Sequence, residues 1–398
     1  MKIVLAYSGG LDTSVAIKWL HEKYDADIVT MIVDVGQQEN LEEIAQRAKE
    51  IGATNHYCID SIEEFAQSYL KPEIMANGLY EGKYPLLSSL SRPLIASKVV
   101  EVANKEHADA VAHGCTGKGN DQVRMEVTIK AMAPHLEVLA PIRDWDLSRE
   151  AEIEYATKMG IPVVPKKSKY SIDQNLWGRS IECGGMEEPD FEPPEDAFEW
   201  TVAPEKAPDH PEYLRLDFEQ GVPVSVNEDK MPLRSITSEL NGIAGRHGVG
   251  RIDHVEDRVI GLKSREVYEC PGAIAILEAH KDLEKMVLTK HELDFKNLVD
   301  LKWAELVYCG LWVDPLRSDL EAFIKTTQER IDGWVKLKLY KGNLLTVGRS
   351  SPNSLCDWRM DFDQKLSRGF VERWGSQSVL SSKFGYHTPP VYSRQPER

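Results

Sequence analysis

Short apolar runs alternate with amphipathic stretches over about the first 165 residues. KIVLA (2–6) reads as a buried strand and residues 12–24 as a helix, while DIVTMIVDV (27–35) is a second strand. NLEEIAQRAKEIG (40–52) is a helix ended by Gly52, and NHYCID (55–60) a short third strand. RPLIASKVVEVANKEH (92–107) reads as a helix, ADAVAHG (108–114) as a strand and NDQVRMEVTIKAMA (120–133) as a helix. LEVLAPI (136–142) is a further strand, and SREAEIEYATKMG (148–160) a helix closed by Gly160. Apolar strands separated by amphipathic helices predict an α/β fold, a doubly wound parallel sheet covered on both faces. Ligands bind such sheets where the strands run out into loops. AYSGGLDTS (6–14) and HGCTGKGND (113–121) both fall at that end, so both are expected to face one site.

From about Pro165 the pattern changes. Residues 165–200, PKKSKYSIDQNLWGRSIECGGMEEPDFEPPEDAFEW, are loop-rich with little periodicity, and a loop that long is expected to bind something or move. YLRLDFEQ (213–220) and VPVSVNE (222–228) are strand-like, SITSELNGIAGRHG (235–248) is helical, and RVIGLKSREVYECPG follows. Residues 271–331 hold long helices, and WVKLKLYKGNLLTVGRSS (334–351) reads as a hairpin. The expected organisation is a nucleotide-binding domain at 1–165, a second α+β domain at 166–355, and a C-terminal segment at 356–398 ending in a frayed tail.

Composition narrows the function classes. The chain has 398 residues, 42% hydrophobic and 28% charged, with a net charge of −16. Such an acidic balance argues against a surface devoted to nucleic acid, which needs stripes of Lys and Arg. It also counts against a tRNA-modifying enzyme. The six cysteines form no CxxC pair, so a structural zinc site is not expected and reduced thiols are. MKIVLAYSGG is too short and too quickly polar for a signal peptide, and no run approaches the roughly 18 apolar residues of a membrane span. A cytoplasmic protein without nucleic-acid or membrane partners is the expectation, with no metal site built by a ligand cluster of its own.

The stretch SGGLDTS (8–14) places two glycines and three hydroxyls where a buried strand gives way to a helix. A helix N-terminus offers unpaired N–H groups and the positive end of its dipole, and glycines let a ligand approach the backbone. Phosphate suits such a site. An ordinary capped turn would look similar, so the motif's details matter. Lys118 is followed by Gly119 where a Walker A loop needs Ser or Thr, and no GxGxxG follows the first strand. SGGLDTS instead resembles the pyrophosphate loop, SGGxD followed by Ser or Thr, of the ATP pyrophosphatase superfamily, which has an adenine nucleotide alpha hydrolase-like sheet. Those enzymes cleave ATP between its α and β phosphates.

Four further stretches sharpen this: YPLLSSLSRPLIA (84–96), HGCTGKGNDQVRME (113–126), YSIDQNLWGRSIECGG (170–185) and GRHGVGRIDHVEDRVIGLKSREVYECP (245–271). In order and spacing, from about residue 2 to about 350, the chain resembles the argininosuccinate synthase family. The resemblance implies a ligase with ATP as co-substrate and Mg²⁺ as cofactor. L-citrulline's ureido oxygen attacks the α-phosphate, giving citrullyl-AMP and pyrophosphate. The amine of L-aspartate then displaces AMP to give L-argininosuccinate. It further implies a homotetramer.

Residue by residue, the resemblance places ATP against Ala6, Tyr7, Ser8, Gly9, Gly10, Leu11, Asp12, Thr13 and Ser14, and against the backbone of Val33 and Gly114. Asp12 is tolerable beside phosphates if Mg²⁺ lies between them. Thr116, Asn120 and Asp121 would hold aspartate, with Asp121 pairing its ammonium. Asn120 and Arg124 would reach citrulline, where Arg124 can fork onto a carboxylate. Tyr84, Ser89, Ser171, Ser180, Glu256 and Tyr268 are implied as the remaining citrulline contacts. Asp12, Asp121 and Arg124 are the expected catalytic residues. His113 and His247 lie in matching motifs but read as structural, so no general base for the aspartate amine is evident. Past Ser350 the likeness weakens: Cys356 stands where the family's segment carries tyrosine.

Overall fold

A computed structural model of the chain describes residues 1–117, 119–145, 149–162 and 169–356. Five parallel strands form the first sheet: β1 (Lys2–Ala6), β2 (Asp27–Asp34), β3 (Asn55–Asp60), β4 (Ala110–Ala112) and β5 (Glu137–Leu139). Their order is β3-β2-β1-β4-β5, with Lys2 opposite Asp27 and Ile3 opposite Ala110. β1 is apolar on both faces because both are covered. Ile3 and Leu5 pack in one core with Val15 and Ile44, from the helices Leu11–Tyr24 and Leu41–Ile51. Val4 packs in a second core with Leu90 and Leu94 of the helix Leu87–Glu106. The strand order reverses between β1 and β4, the topological switch point at which such sheets open a crevice.

The rest of the chain builds two antiparallel sheets. β6 (Ser171–Asn175), β7 (Gly178–Glu182), β11 (Arg251–Asp257) and β12 (Lys263–Glu269) make a four-stranded sheet in the order β11-β12-β7-β6. β8 (Glu212–Glu219), β9 (Val222–Val226), β10 (Asp229–Lys230), β13 (Gly333–Tyr340) and β14 (Asn343–Ser350) make a five-stranded one in the order β10-β9-β8-β13-β14. Helices Leu233–Arg246, Pro271–Val287, Lys290–Tyr308 and Pro315–Gln328 complete this part. Thr289 and Glu292 close a capping box at the start of Lys290–Tyr308.

Two expectations need correction, and one strand was not expected. Residues 165–200 are not all loop, because the β6–β7 hairpin lies inside them. Asn175 tightens its turn, its Oδ1 accepting from the Trp177 N–H at 2.8 Å while its Nδ2 donates to the Leu87 carbonyl at 2.8 Å. The helix read as starting at Arg92 starts at Leu87, so Pro93 lies in its second turn rather than its first. β11, which carried no strand expectation, pairs along its whole length with β12. The expected tail lies outside the described residues, as does Lys118.

The two parts share one apolar core, in which Val4, Leu90 and Val111 join a cluster that also holds Trp177, Tyr268 and Leu337. A buried polar knot adds to it. Asn77 Nδ2 donates to Glu284 Oε2 at 2.7 Å and Asp300 Oδ2 at 3.1 Å. Lys296, fully buried, reaches Glu284 at 3.0 Å, Asp300 at 2.8 Å and the Met75 carbonyl at 2.8 Å.

Candidate active site

The two loops expected at one end of the parallel sheet meet there. Residues 7–10 run from β1 into the helix Leu11–Tyr24, whose start at Gly10 has no side-chain cap. Gly9 sits at φ +75°, a conformation that favours glycine. Its carbonyl accepts from Arg47 Nη1 at 2.8 Å, tying the loop to the helix Leu41–Ile51. Ser8 Oγ lies 3.2 Å from Thr13 Oγ1, and Tyr7 Oη 3.0 Å from Ser14 Oγ. Burial raises the Tyr7 phenol above its ordinary range, so it stays neutral. Asp12 occupies the first helical turn. The result is a small nest of N–H and hydroxyl donors.

Gly114, after β4, touches this nest. A Cβ placed on it would stand 2.5 Å from Thr13 Cγ2, so glycine is what allows the loops to close on one another. His113 is buried and structural: its Nδ1 accepts from the Cys115 N–H at 3.2 Å, and its Nε2 lies 3.4 Å from Glu126. His247 is likewise tied, 2.9 Å from Glu212. Val33 is buried near the end of β2. Register places Met31 opposite Ala6, so Val33 projects past the end of β1 beside the nest.

The four-stranded sheet supplies a second wall. Cross-strand partners share a face, and alternate residues along a strand return to it. Ser180 faces Asp173 on one side and Tyr268 on the other, and Ser171 faces Glu182. Two and four residues before Tyr268 come Glu266 and Ser264, the latter opposite Glu256. Ser171, Ser180, Glu256 and Tyr268, scattered through 98 positions of sequence, therefore lie on one face.

Side chains from the first part meet that face. Arg92 is a clamp, its Nε donating to Asp121 Oδ2 at 2.8 Å and its Nη2 to Asp173 Oδ2 at 2.5 Å. Arg124 Nη1 donates to Asp121 Oδ1 at 2.9 Å and Ser88 Oγ at 3.1 Å, and its Nε to the Tyr308 carbonyl at 3.0 Å. Tyr308 donates to Glu256 Oε1 at 2.5 Å and accepts from Asn120 Nδ2 at 2.9 Å, while Tyr268 donates to Glu256 Oε2 at 3.0 Å. The Tyr84 ring stacks on Tyr268 at 4.4 Å between centroids, with its hydroxyl 3.0 Å from Ser88 Oγ. Thr116 is exposed in the loop above.

Buried polar atoms here without a hydrogen-bond partner include Ser89 Oγ, Arg124 Nη2 and His254 Nε2. Unpaired buried donors are costly, so a ligand's polar groups would suit them. Burial alone would raise the Asp121 carboxyl, yet Arg92 and Arg124 outweigh it and hold Asp121 below its ordinary range. Burial dominates at Asp173 and raises it, with Arg92 opposing. Burial also raises Tyr84, Tyr268 and Tyr308, so all three act as neutral phenols. Arg92, Ser88, Asp173 and Tyr308 carried no sequence expectation. Arg92 and Ser88 stand inside YPLLSSLSRPLIA, the one signal that marks them.

Comparison with known proteins decides the family. A family model described as "Arginosuccinate synthase N-terminal HUP domain" matches residues 2–162, and one described as "Arginosuccinate synthase C-terminal domain" matches residues 170–381. The argininosuccinate synthase of Pyrococcus furiosus is 56% identical over 388 residues, 96% of this chain and 94% of that one. Those of Pyrobaculum aerophilum and Bacillus subtilis are 55% and 53% identical, also over 96% of this chain and over 98% and 96% of theirs. The chain belongs to the argininosuccinate synthase family. Within that family's fold, the α/β reading of the N-terminal region stands: a five-stranded parallel sheet flanked by helices, followed by antiparallel sheets. Cys58, Cys115, Cys270, Cys309 and Cys356 are free thiols. Among the described residues no helix is long and apolar enough to cross a membrane.

Proposed function

We propose that this chain condenses L-citrulline with L-aspartate using ATP, giving L-argininosuccinate, AMP and pyrophosphate through citrullyl-AMP. The observation that carries the reading is the convergence of these polar elements. The uncapped helix start at the switch point meets the Gly114 loop, and further along that loop Asp121 is tied through Arg92 to Asp173 of the four-stranded sheet.

In this reading the backbone from Ala6 to Ser14 and the Gly114 loop take the triphosphate, and the Val33 backbone lies against the adenine. The donors of the nest are pre-aimed, so they stabilise the charge that builds on the departing pyrophosphate without reorganising. The donor set suits Mg²⁺ arriving with ATP. One carboxylate, Asp12, beside phosphate oxygens is what an ion that keeps most of its waters requires. Bound there, it would neutralise phosphate charge.

Citrulline would lie along the sheet face. Its ammonium suits Glu256, which Tyr268 and Tyr308 hold in place, and its carboxylate suits Arg124 Nη2 and Ser89. Ser171, Ser180 and Tyr84 frame the remainder. Thr116, Asn120 and Asp121 would receive aspartate, with Arg92 fixing the Asp121 carboxylate. Exposed Leu298 and Leu301 on one helix, and Leu345 and Val347 on β14, support assembly of chains into the proposed homotetramer. A clean monomer by light scattering would refute it. Free thiols are consistent with the proposed cytoplasmic location.

The test is to measure AMP and pyrophosphate from MgATP with citrulline and aspartate added singly and together. Equal amounts of both products, in steady turnover only with both amino acids, are expected. ATP binding without release under any combination would overturn the reading.

A further inference from the structure

The ligation step needs a base, because aspartate arrives as an ammonium and only the free amine can attack. The sheet face that gathers the citrulline residues carries four carboxylates: Asp173, Glu182, Glu256 and Glu266. Three are already engaged. Asp173 takes Arg92, Glu256 takes the hydroxyls of Tyr268 and Tyr308, and Glu266 takes Arg258 at 3.1 Å and Ser264 at 2.7 Å. Asp121, across the cleft, is held by two guanidiniums. Among the described residues no hydrogen bond or ion pair reaches the Glu182 carboxylate, and the side chain is exposed.

We propose that Glu182 is the base that takes the proton from the attacking amine of aspartate, an inference that rests on the ligase reading above. Its position fits the task. Glu182 lies two residues along β7 from Ser180, on the same face, and opposite Ser171, so it flanks the row expected to hold citrulline. Its surroundings also tune it. Loss of surrounding water comes first among the causes that lift its carboxyl to about 7, followed by Glu266, Asp121 and Asp173, with Arg258 opposing, while the side chain keeps contact with solvent. His254, opposite Glu266 in the ladder, completes the titratable set on this side. A base works best with its pKa near the working pH, and each of the other carboxylates on this face already accepts a hydrogen bond, whereas among the described residues Glu182 accepts none.

The step balances as follows. Attack by the ureido oxygen leaves a cationic isourea bonded to AMP. One N–H bond of the aspartate ammonium breaks, its pair staying on nitrogen and its proton passing to a Glu182 carboxylate oxygen. That pair forms the new C–N bond. The C–O bond to the adenylate breaks, with its pair leaving on AMP. The excess proton on the new nitrogen goes to water, leaving the guanidinium of the product.

The two half-reactions separate this role from a structural one. Exchange of labelled pyrophosphate into ATP with citrulline alone reports adenylation. Overall turnover with aspartate reports ligation. For Glu182→Gln we expect exchange within about threefold of the unaltered enzyme and turnover lower by about 10²–10⁴-fold. The fall in kcat below about pH 7 should vanish from the residual activity, while Glu182→Asp keeps that limb at a reduced rate. Exchange and turnover falling together, or turnover within about threefold, would overturn the proposal. Absence of citrulline-dependent exchange in the unaltered enzyme would overturn the ligase reading, and the base with it.

Discussion

Replacing Gly114 with alanine tests the contact between the two loops at the switch point. The new Cβ would stand 2.5 Å from Thr13 Cγ2, with the next nearest atom, Thr13 Cβ, at 3.9 Å. One methyl group is therefore the whole obstacle. Gly114 does not lie in the left-handed region, so backbone strain adds nothing. Thr13 is buried and cannot swing aside freely, because its Oγ1 lies 3.2 Å from Ser8 Oγ and donates to the Gly10 carbonyl at 3.4 Å. Relieving the clash must displace one loop or the other. Overpacking of this kind costs about 1–3 kcal/mol, which is about 5- to 150-fold in kcat/KM for ATP if the nest bears the displacement. Thr13→Ser removes the methyl and keeps the hydroxyl. On its own it should cost less than about threefold, and in the double variant it should return most of the loss. Initial rates under varied ATP, with both amino acids saturating, give the full cycle. Additive effects of the two substitutions, or an unchanged kcat/KM in Gly114→Ala, would refute the contact.

Ser89→Ala removes a buried hydroxyl without a partner in the free protein, so stability should hardly change. KM for citrulline should rise about 5- to 10-fold, the worth of one hydrogen bond, with KM for ATP unchanged. Lys296→Met strips the buried cation from Glu284 and Asp300 and should cost about 3–5 kcal/mol in denaturant unfolding. Glu73 is fully buried, and burial raises its carboxyl well above the ordinary range, so the native state keeps a proton that the unfolded chain releases. Its contribution to stability is then complete below about pH 4.3 and is lost as pH rises towards the folded value. Glu73→Gln should accordingly melt several degrees above the unaltered protein near about pH 8 and level with it near about pH 4. An equal shift at both would contradict the assignment.

The parallel sheet was legible because its strands are buried on both faces and read as unbroken apolar runs. DIVTMIVD shows this along its length, since all but its end residues are buried. β6 and β11 were not legible, for a reason tied to function. SIDQN and RIDHVED place polar side chains on the face that lines the cleft, which erases the alternation of a half-buried strand. The helix Leu87–Glu106 was shortened because Pro93 looks like a first-turn residue. That hid the fact that Ser88, Ser89 and Arg92 ride on one helix. Tyr308 sits in an apolar helical stretch and reads as core. Only folding shows its hydroxyl between Glu256 and Asn120. The Asn77–Glu284–Lys296–Asp300 knot joins positions more than 200 residues apart, beyond any local pattern.

The central claim is that citrulline's ureido oxygen attacks the α-phosphate before aspartate displaces it. Citrulline labelled with heavy oxygen in its ureido group tests this most directly, with the products separated and weighed by mass spectrometry after a single turnover. The label should appear in the phosphoryl group of AMP and nowhere else, because the oxygen that attacks phosphorus leaves with it. Label in pyrophosphate or in water, with unlabelled AMP, would contradict the account.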